Sequence, residues 1–101
     1  MKIFECIHAL KALGEETRIR IVQMLLEKER SVNEIAETLV ITQYNVSKHL
    51  RVLREAGLLE IKKEGQQRFY SLAEDFQSHL SKNDNVLDLG CCTFRFDKTV
   101  K

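Results

Sequence analysis

The 101-residue sequence has no proline, no tryptophan, four glycines and an odd number of cysteines, three. No apolar run approaches the ~18 residues that a membrane span requires. An odd cysteine count argues against a disulfide framework and for a reducing compartment, so the expected location is the cytoplasm. Met1-Lys2-Ile3-Phe4-Glu5 reaches an acid before any apolar stretch forms, which is not the pattern of a secretory signal. Internal repeats and low-complexity tracts are missing. So are a Ser/His/Asp set, paired carboxylates for acid–base work and a phosphate-binding glycine loop, and no enzyme is expected. What is present is a hydrophobic fraction of 44%, enough for one packed domain at this length.

The net charge of +1 is unevenly spread. Residues 1–41 hold six bases and seven acids, and residues 71–101 hold four and five. Between them, residues 42–70 set Lys48, Arg51, Arg54, Lys62, Lys63 and Arg68 against Glu55, Glu60 and Glu64, a net of +3. Such an excess points to nucleic acid only if a motif occupies it; otherwise it is a solvated face.

With no proline, the breaks in pattern fall at glycines and caps. Ile3, Cys6, Ile7, Leu10 and Leu13 form a helical stripe ended by Gly14. A second helix over 16–29 carries Ile19, Val22, Leu25 and Leu26. Ser31 and Glu34 make a capping-box pattern opening a short helix over 32–39. Thr42 caps another, with Val46, Leu50, Leu53 and Ala56 as its apolar set, stopped by Gly57. The period then changes from near 3.6 to 2, and two alternating runs around Gly65 predict a β-hairpin with a charged tip. A polar helix is predicted over 74–82, with Phe76 and Leu80 as its apolar pair, then a turn at Lys82–Asn85. Val86, Leu87 and Leu89 precede Gly90-Cys91-Cys92, and Phe94 and Phe96 alternate around Arg95. The expected fold class is α+β: mainly helical with a small β-hairpin, residues 1–82 as the domain and 83–101 as a tail. The stripes on the first and last helices have little left to cover, which predicts a homodimer.

The stretch Ser31–Gly57 has the layout of a helix-turn-helix: a short helix, a turn at Val40-Ile41-Thr42, and a second helix from Gln43. One face of that second helix is periodic and apolar. The other carries Gln43, Tyr44, Asn45, Ser47, Lys48, His49 and Arg51, hydrogen-bonding side chains gathered in its first turns. A recognition helix needs this arrangement, because its N-terminal half meets base edges and phosphates in the major groove of double-stranded DNA. Lys62, Lys63, Gln66, Gln67 and Arg68 on the hairpin suit a neighbouring phosphate or the minor groove.

Leu10-Lys11-Ala12-Leu13-Gly14 with Thr17-Arg18-Ile19-Arg20-Ile21, the run Thr42 to Leu58, and Glu64 to Leu72 together resemble the ArsR/SmtB family of winged-helix repressors. The likeness extends over about residues 8–80. It implies a winged helix-turn-helix, dimerisation through the first and last helices, and an operator released when a metal, metalloid or reactive small molecule binds. Thr42, which opens the matching helix, joins the residues expected at DNA. No cofactor is implied for DNA binding itself.

The departures from the family bear on the inducer. Where its arsenic sensors carry a cysteine pair at the start of the third helix, this chain has Ser31 and Asn33. The zinc-type site on the final helix is reduced to Glu74, Asp75 and His79, one histidine short of a convincing set. What remains is Cys91-Cys92, at a position resembling that of C-terminal cysteine-pair sensors. Adjacent cysteines do not readily close on each other, since neighbouring Cα atoms lie ~3.8 Å apart and relaxed bridges need roughly 4.4–6.8 Å. Both can face one soft ion, and trivalent arsenic or antimony suits thiolates. Cys6 is a candidate third ligand, from the same protomer or its partner; free cysteine on an apolar stripe is also often a small buried hydrophobe. A thiol redox or reactive-sulfur sensor, in which Cys6 pairs with Cys91 or Cys92, is the alternative, as is a winged-helix module for protein contact. Asn85–Cys92 also looks like a methyltransferase nucleotide loop, but too few residues follow for a βαβ unit.

Overall fold

The structure, a computed structural model, describes residues 6–81 and 85–96. Ile3 and most of the predicted turn at 82–85 lie outside the described residues. The elements in chain order are α1 (Cys6–Leu13), α2 (Glu16–Glu27), β1 (Arg30–Ser31), α3 (Val32–Leu39), α4 (Gln43–Glu55), β2 (Leu59–Glu64), β3 (Gln67–Leu72), α5 (Glu74–Ser78), β4 (Leu80–Ser81), β5 (Val86–Asp88) and β6 (Thr93–Arg95).

Local chemistry sets the helix starts. Glu15 caps α2, its carboxylate accepting from Arg18 N–H at 2.9 Å. Ser31 and Glu34 form the reciprocal box at α3: Ser31 N–H donates to Glu34 Oε1 at 2.9 Å and Glu34 N–H to Ser31 Oγ at 3.2 Å. Thr42 Oγ1 accepts from Asn45 N–H at 3.1 Å and opens α4. Between α3 and α4 the chain turns at Val40, whose φ of 58° is left-handed. A β-branched residue there costs about 1–2 kcal/mol, offset by the packing of the helices on either side.

The Ser31 N–H bond is the first reason that the Glu34 carboxyl is held below the ordinary glutamate range; burial opposes it, and Lys28 and Arg30 add to the lowering. A carboxyl lowered on folding contributes stability above its unfolded pKa and loses it as pH falls through the folded one. Glu34→Gln keeps an acceptor for Ser31 N–H but removes the titration. Melting curves of the variant should therefore fall less steeply than wild type between about pH 6 and pH 3 and converge with it at the acid end. Parallel curves would refute this.

Two small antiparallel sheets complete the fold, ordered β1-β3-β2 and β4-β5-β6. The hairpin β2–β3 pairs Leu59 with Leu72 and Lys63 with Arg68, and turns at Gly65, whose φ is +63°. One core runs through the described residues. Val46, Leu50 and Leu53 of α4, Ile21 and Val22 of α2, Ile35, Leu58 and Phe76 are fully buried, and Leu87, Leu89 and Phe96 from beyond residue 82 join them.

Three expectations change. The predicted helix over 74–82 stops at Ser78, because Leu80 and Ser81 pair with Leu87 and Val86 as a strand. The last helix is thus one short turn, and Phe76 on it faces the core. On α1 the buried residues are Ala9, Ala12 and Leu13, so the predicted stripe is rotated: Cys6 and Leu10 are half-buried and Ile7 is 59% exposed. Small alanines let α1 approach α2 and α4 closely and leave the larger apolar side chains turned away. On α2, Ile21 and Met24 join Val22 and Leu25, since that helix packs against α1, α4 and β3 on different sides. Asn85–Cys92 forms β5 and a turn, which excludes the nucleotide-loop likeness.

Candidate nucleic-acid interface and thiol cluster

The outward face of α4 presents Gln43, Tyr44, Asn45, Ser47, Lys48 and Arg51, all exposed, above the buried Val46, Leu50 and Leu53. Tyr44 is 72% exposed, and Lys48 Nζ stands 5.4 Å from its ring centroid. Thr42 is exposed at the cap. Lys62, Lys63, Gln66, Gln67 and Arg68 are exposed on the β2–β3 hairpin, with Lys62 Nζ 3.5 Å from Glu64. Helix and hairpin meet at a cleft of about 270 Å³ lined by Ser31, Asn33, Gln43, Gln67 and Arg68. Gln43 Nε2 donates to Asn33 Oδ1 across it. Asn33 therefore belongs to this face, a residue the sequence marked only as a substitution at the third helix.

His49 is the exception among the α4 candidates. Its imidazole turns inward, with Nδ1 3.3 Å from Arg18 Nη1 and 4.0 Å from Glu15 Oε1, and is half-buried. Burial pushes the Glu15 carboxyl up, but the Arg18 and Thr17 backbone N–H bonds and the charges of His49 and Arg18 outweigh it and hold it below its ordinary value.

Cys91 and Cys92 occupy the tight turn between β5 and β6. Leu89 N–H donates to Cys92 C=O at 2.9 Å, and Gly90, at φ +92°, gives its N–H to Asp88 Oδ1 at 2.9 Å. This turn brings the tail thiols onto the start of α1. Cys6 and Cys91 are joined as a disulfide, their Cα atoms 6.2 Å apart, while Cys92 is free with its Sγ 4.0 Å from that of Cys91. A single pair with one spare thiol is not a framework, and Cys6–Cys91 is one of the two pairings that the redox alternative offered. The sulfurs of Cys6, Cys91 and Cys92 lie within 4.8 Å of one another. Among the described residues no other three cysteine, histidine or acidic side chains converge in this way. Glu74, Asp75 and His79 do not; His79 Nδ1 lies 2.9 Å from Asp75 C=O and 3.0 Å from Ser78 Oγ.

Residues 15–60 match the family described as "Bacterial regulatory protein, arsR family". The uncharacterised HTH-type transcriptional regulator YceK of Bacillus subtilis is 40% identical over 73 residues, which span 69% of this chain and 73% of that protein. This chain belongs to the ArsR family. The transcriptional activator HlyU of Vibrio cholerae is 44% identical over 64 residues, which span 63% of this ArsR-family chain and 59% of HlyU. A solved structure of HlyU superposes with a TM-score of 0.65 at 41% identity, covering 67% of this chain and 74% of that one. The homodimeric winged helix-turn-helix domain of Mb0332 from Mycobacterium bovis gives a TM-score of 0.66 at 30% identity, covering 68% and 64%. The fold is that of winged helix-turn-helix ArsR-family regulators, a class of regulatory proteins and not of enzymes. No helix among the described residues is long and apolar enough to cross a membrane.

Proposed function

We propose that this chain is a homodimeric, DNA-binding transcriptional repressor whose tail, residues 83–101, carries the sensor: a thiophilic inducer, trivalent arsenic or antimony, captured by Cys6, Cys91 and Cys92. Family membership supports the DNA-binding half. Thr42, Gln43, Tyr44, Asn45, Ser47, Lys48 and Arg51 read the major groove, and Lys62, Lys63, Gln67 and Arg68 hold phosphate. The outward Ile7, with Cys6 and Leu10, supplies an apolar α1 face for the partner protomer. The observation that carries the sensory half is the convergence of all three thiols of the chain on one point.

Three thiolates are a donor set for a trigonal soft centre. The ligands must be reduced and deprotonated, so the Cys6–Cys91 bond has to be opened by a dithiol reductant before the ion is held. Ion binding and disulfide therefore compete for the same two sulfurs. By linkage, an inducer that weakens operator binding tenfold binds the free dimer better by about 1.4 kcal/mol.

Gel shifts on DNA from the chain's own promoter test this. With reduced protein, arsenite should weaken wild-type binding about tenfold or more and leave the Cys91→Ser/Cys92→Ser variant bound. Release of that variant by arsenite would exclude the tail thiols. Binding that ignores salt would instead favour a protein-contact module.

The Cys6–Cys91 bond itself favours a second reading, a redox sensor. Two thiols would lose two protons and two electrons to an oxidant such as diamide, closing the bridge and pinning α1 to the tail. Release by diamide but not by arsenite would select that reading.

A further inference from the structure

We infer that Arg18 is the positioning residue through which the state of the thiol cluster reaches the recognition helix; the inference rests on the sensory reading above.

The last carbonyls of a helix have no partner within it. Two of those of α1 receive one side chain from α2, and Gly14 N–H also reaches Lys11 C=O at 3.3 Å. Arg18 Nε donates to Ala12 C=O at 2.6 Å and Nη2 to Lys11 C=O at 3.4 Å. The remaining arm, Nη1, points to His49 Nδ1 at 3.3 Å on α4. The backbone of the same residue is fixed by Glu15, whose carboxylate accepts Arg18 N–H and stands 4.0 Å from His49. A guanidinium is a rigid planar fork. Its three nitrogens thus tie α1, α2 and α4 in a fixed relation, and a lysine, with one donor point, cannot.

The other end of α1 is Cys6, its first residue. Eight helical residues form a rod of about 12 Å. Closing or opening Cys6–Cys91, or drawing Cys6 toward an ion, moves one end of that rod, and Arg18 holds the carbonyls at the other. Beside the grip lies an open cleft of about 360 Å³ lined by Lys11, Ala12, Arg18, Val52, Glu55 and Ala56. His49 sits between Lys48 and Arg51, two residues after Ser47, and a rotation of α4 imposed there re-aims those side chains.

The test reads the link with and without DNA. Operator affinity is measured by fluorescence anisotropy for reduced, arsenite-loaded and diamide-treated full-length chain, as wild type, Arg18→Lys and Arg18→Gln. The His49 ring is followed by side-chain NMR in the same thiol states. In wild type the His49 signals should move between reduced and treated protein, and affinity should change about tenfold. In Arg18→Gln both responses should collapse, to within about twofold for affinity, while the reduced protein still binds. Arg18→Lys, which folds with the charge kept, should lose most of the response. Unmoved His49 signals in wild type, or a full response in Arg18→Lys, overturn the inference. Wild type that never binds or releases DNA defeats the sensory reading instead, and the NMR arm still decides the link.

Discussion

Gln43→Ala combined with Ser47→Ala is expected to weaken operator binding at least 100-fold without changing its salt dependence. Both side chains lie on the first turns of α4 and are exposed. Removing a side chain that hydrogen-bonds a base edge costs about 1–3 kcal/mol, and a dimer bears that cost twice. Because the residues are exposed, the fold should change by no more than about 0.5 kcal/mol, so circular dichroism and melting serve as the control. Lys63→Ala with Arg68→Ala should behave differently. These charges stand on paired strands of the hairpin, Lys63 opposite Arg68. Without these phosphate-binding charges all sequences should bind more weakly alike, and the slope of log K against log salt should fall by about 1 for each phosphate no longer neutralised. Anisotropy titrations at four salt concentrations, on operator and on scrambled DNA, separate the two. Equal weakening on both DNAs from the Gln43/Ser47 variant would remove these residues from base reading.

Much of the DNA-reading half is legible in the sequence because its signals are local. Ser31 with Glu34, Thr42 before the α4 stripe, and Gly65 between alternating runs each settle their geometry within four residues. The start of α3, the start of α4 and the turn of the hairpin follow from them. Signals that depend on distant partners are not legible in this way. Phe76 and Leu80 read as one helical pair, yet Leu80 is claimed by Leu87 seven residues on. His49 has the chemistry of a DNA-facing residue, and only Arg18, 31 residues away, turns it inward. The α1 stripe is rotated because Ala9 and Ala12, weak in any hydrophobic count, are the residues small enough for close approach. Cys6 and the tail are joined across 85 residues, a pairing that the sequence offers as one of several.

Phe76→Ala should cost about 3–5 kcal/mol and separate the thiols before it unfolds the DNA-reading half. Phe76 is the one buried residue of α5 and has no measurable exposure. Its ring centroid lies 6.1 Å from that of Phe96, which lies 4.7 Å from Phe94. The sheet β4-β5-β6 consists of strands of two, three and three residues, too little to stand alone. It is held by burying Leu87, Leu89 and Phe96 in the same core as Phe76. Truncating Phe76 leaves a cavity under that sheet, while α3 and α4 keep Ile35, Val46, Leu50 and Leu53. For a domain of this size each kcal/mol lowers Tm by about 4–8 °C, so a fall of roughly 12–40 °C is expected. The functional effect follows from geometry. Cys91 and Cys92 ride on the β5–β6 turn, and a loosened sheet no longer delivers them to Cys6. In reduced protein below the melting range, iodoacetamide should label all three cysteines faster in Phe76→Ala than in wild type. Re-formation of the Cys6–Cys91 bond under diamide should slow, and arsenite should no longer release DNA that the variant still binds. Phe76→Leu, which keeps an apolar group in the same space, should show each effect in weaker form. A Phe76→Ala protein that melts lower yet keeps wild-type labelling rates would mean that the tail is docked by contacts other than this aromatic cluster.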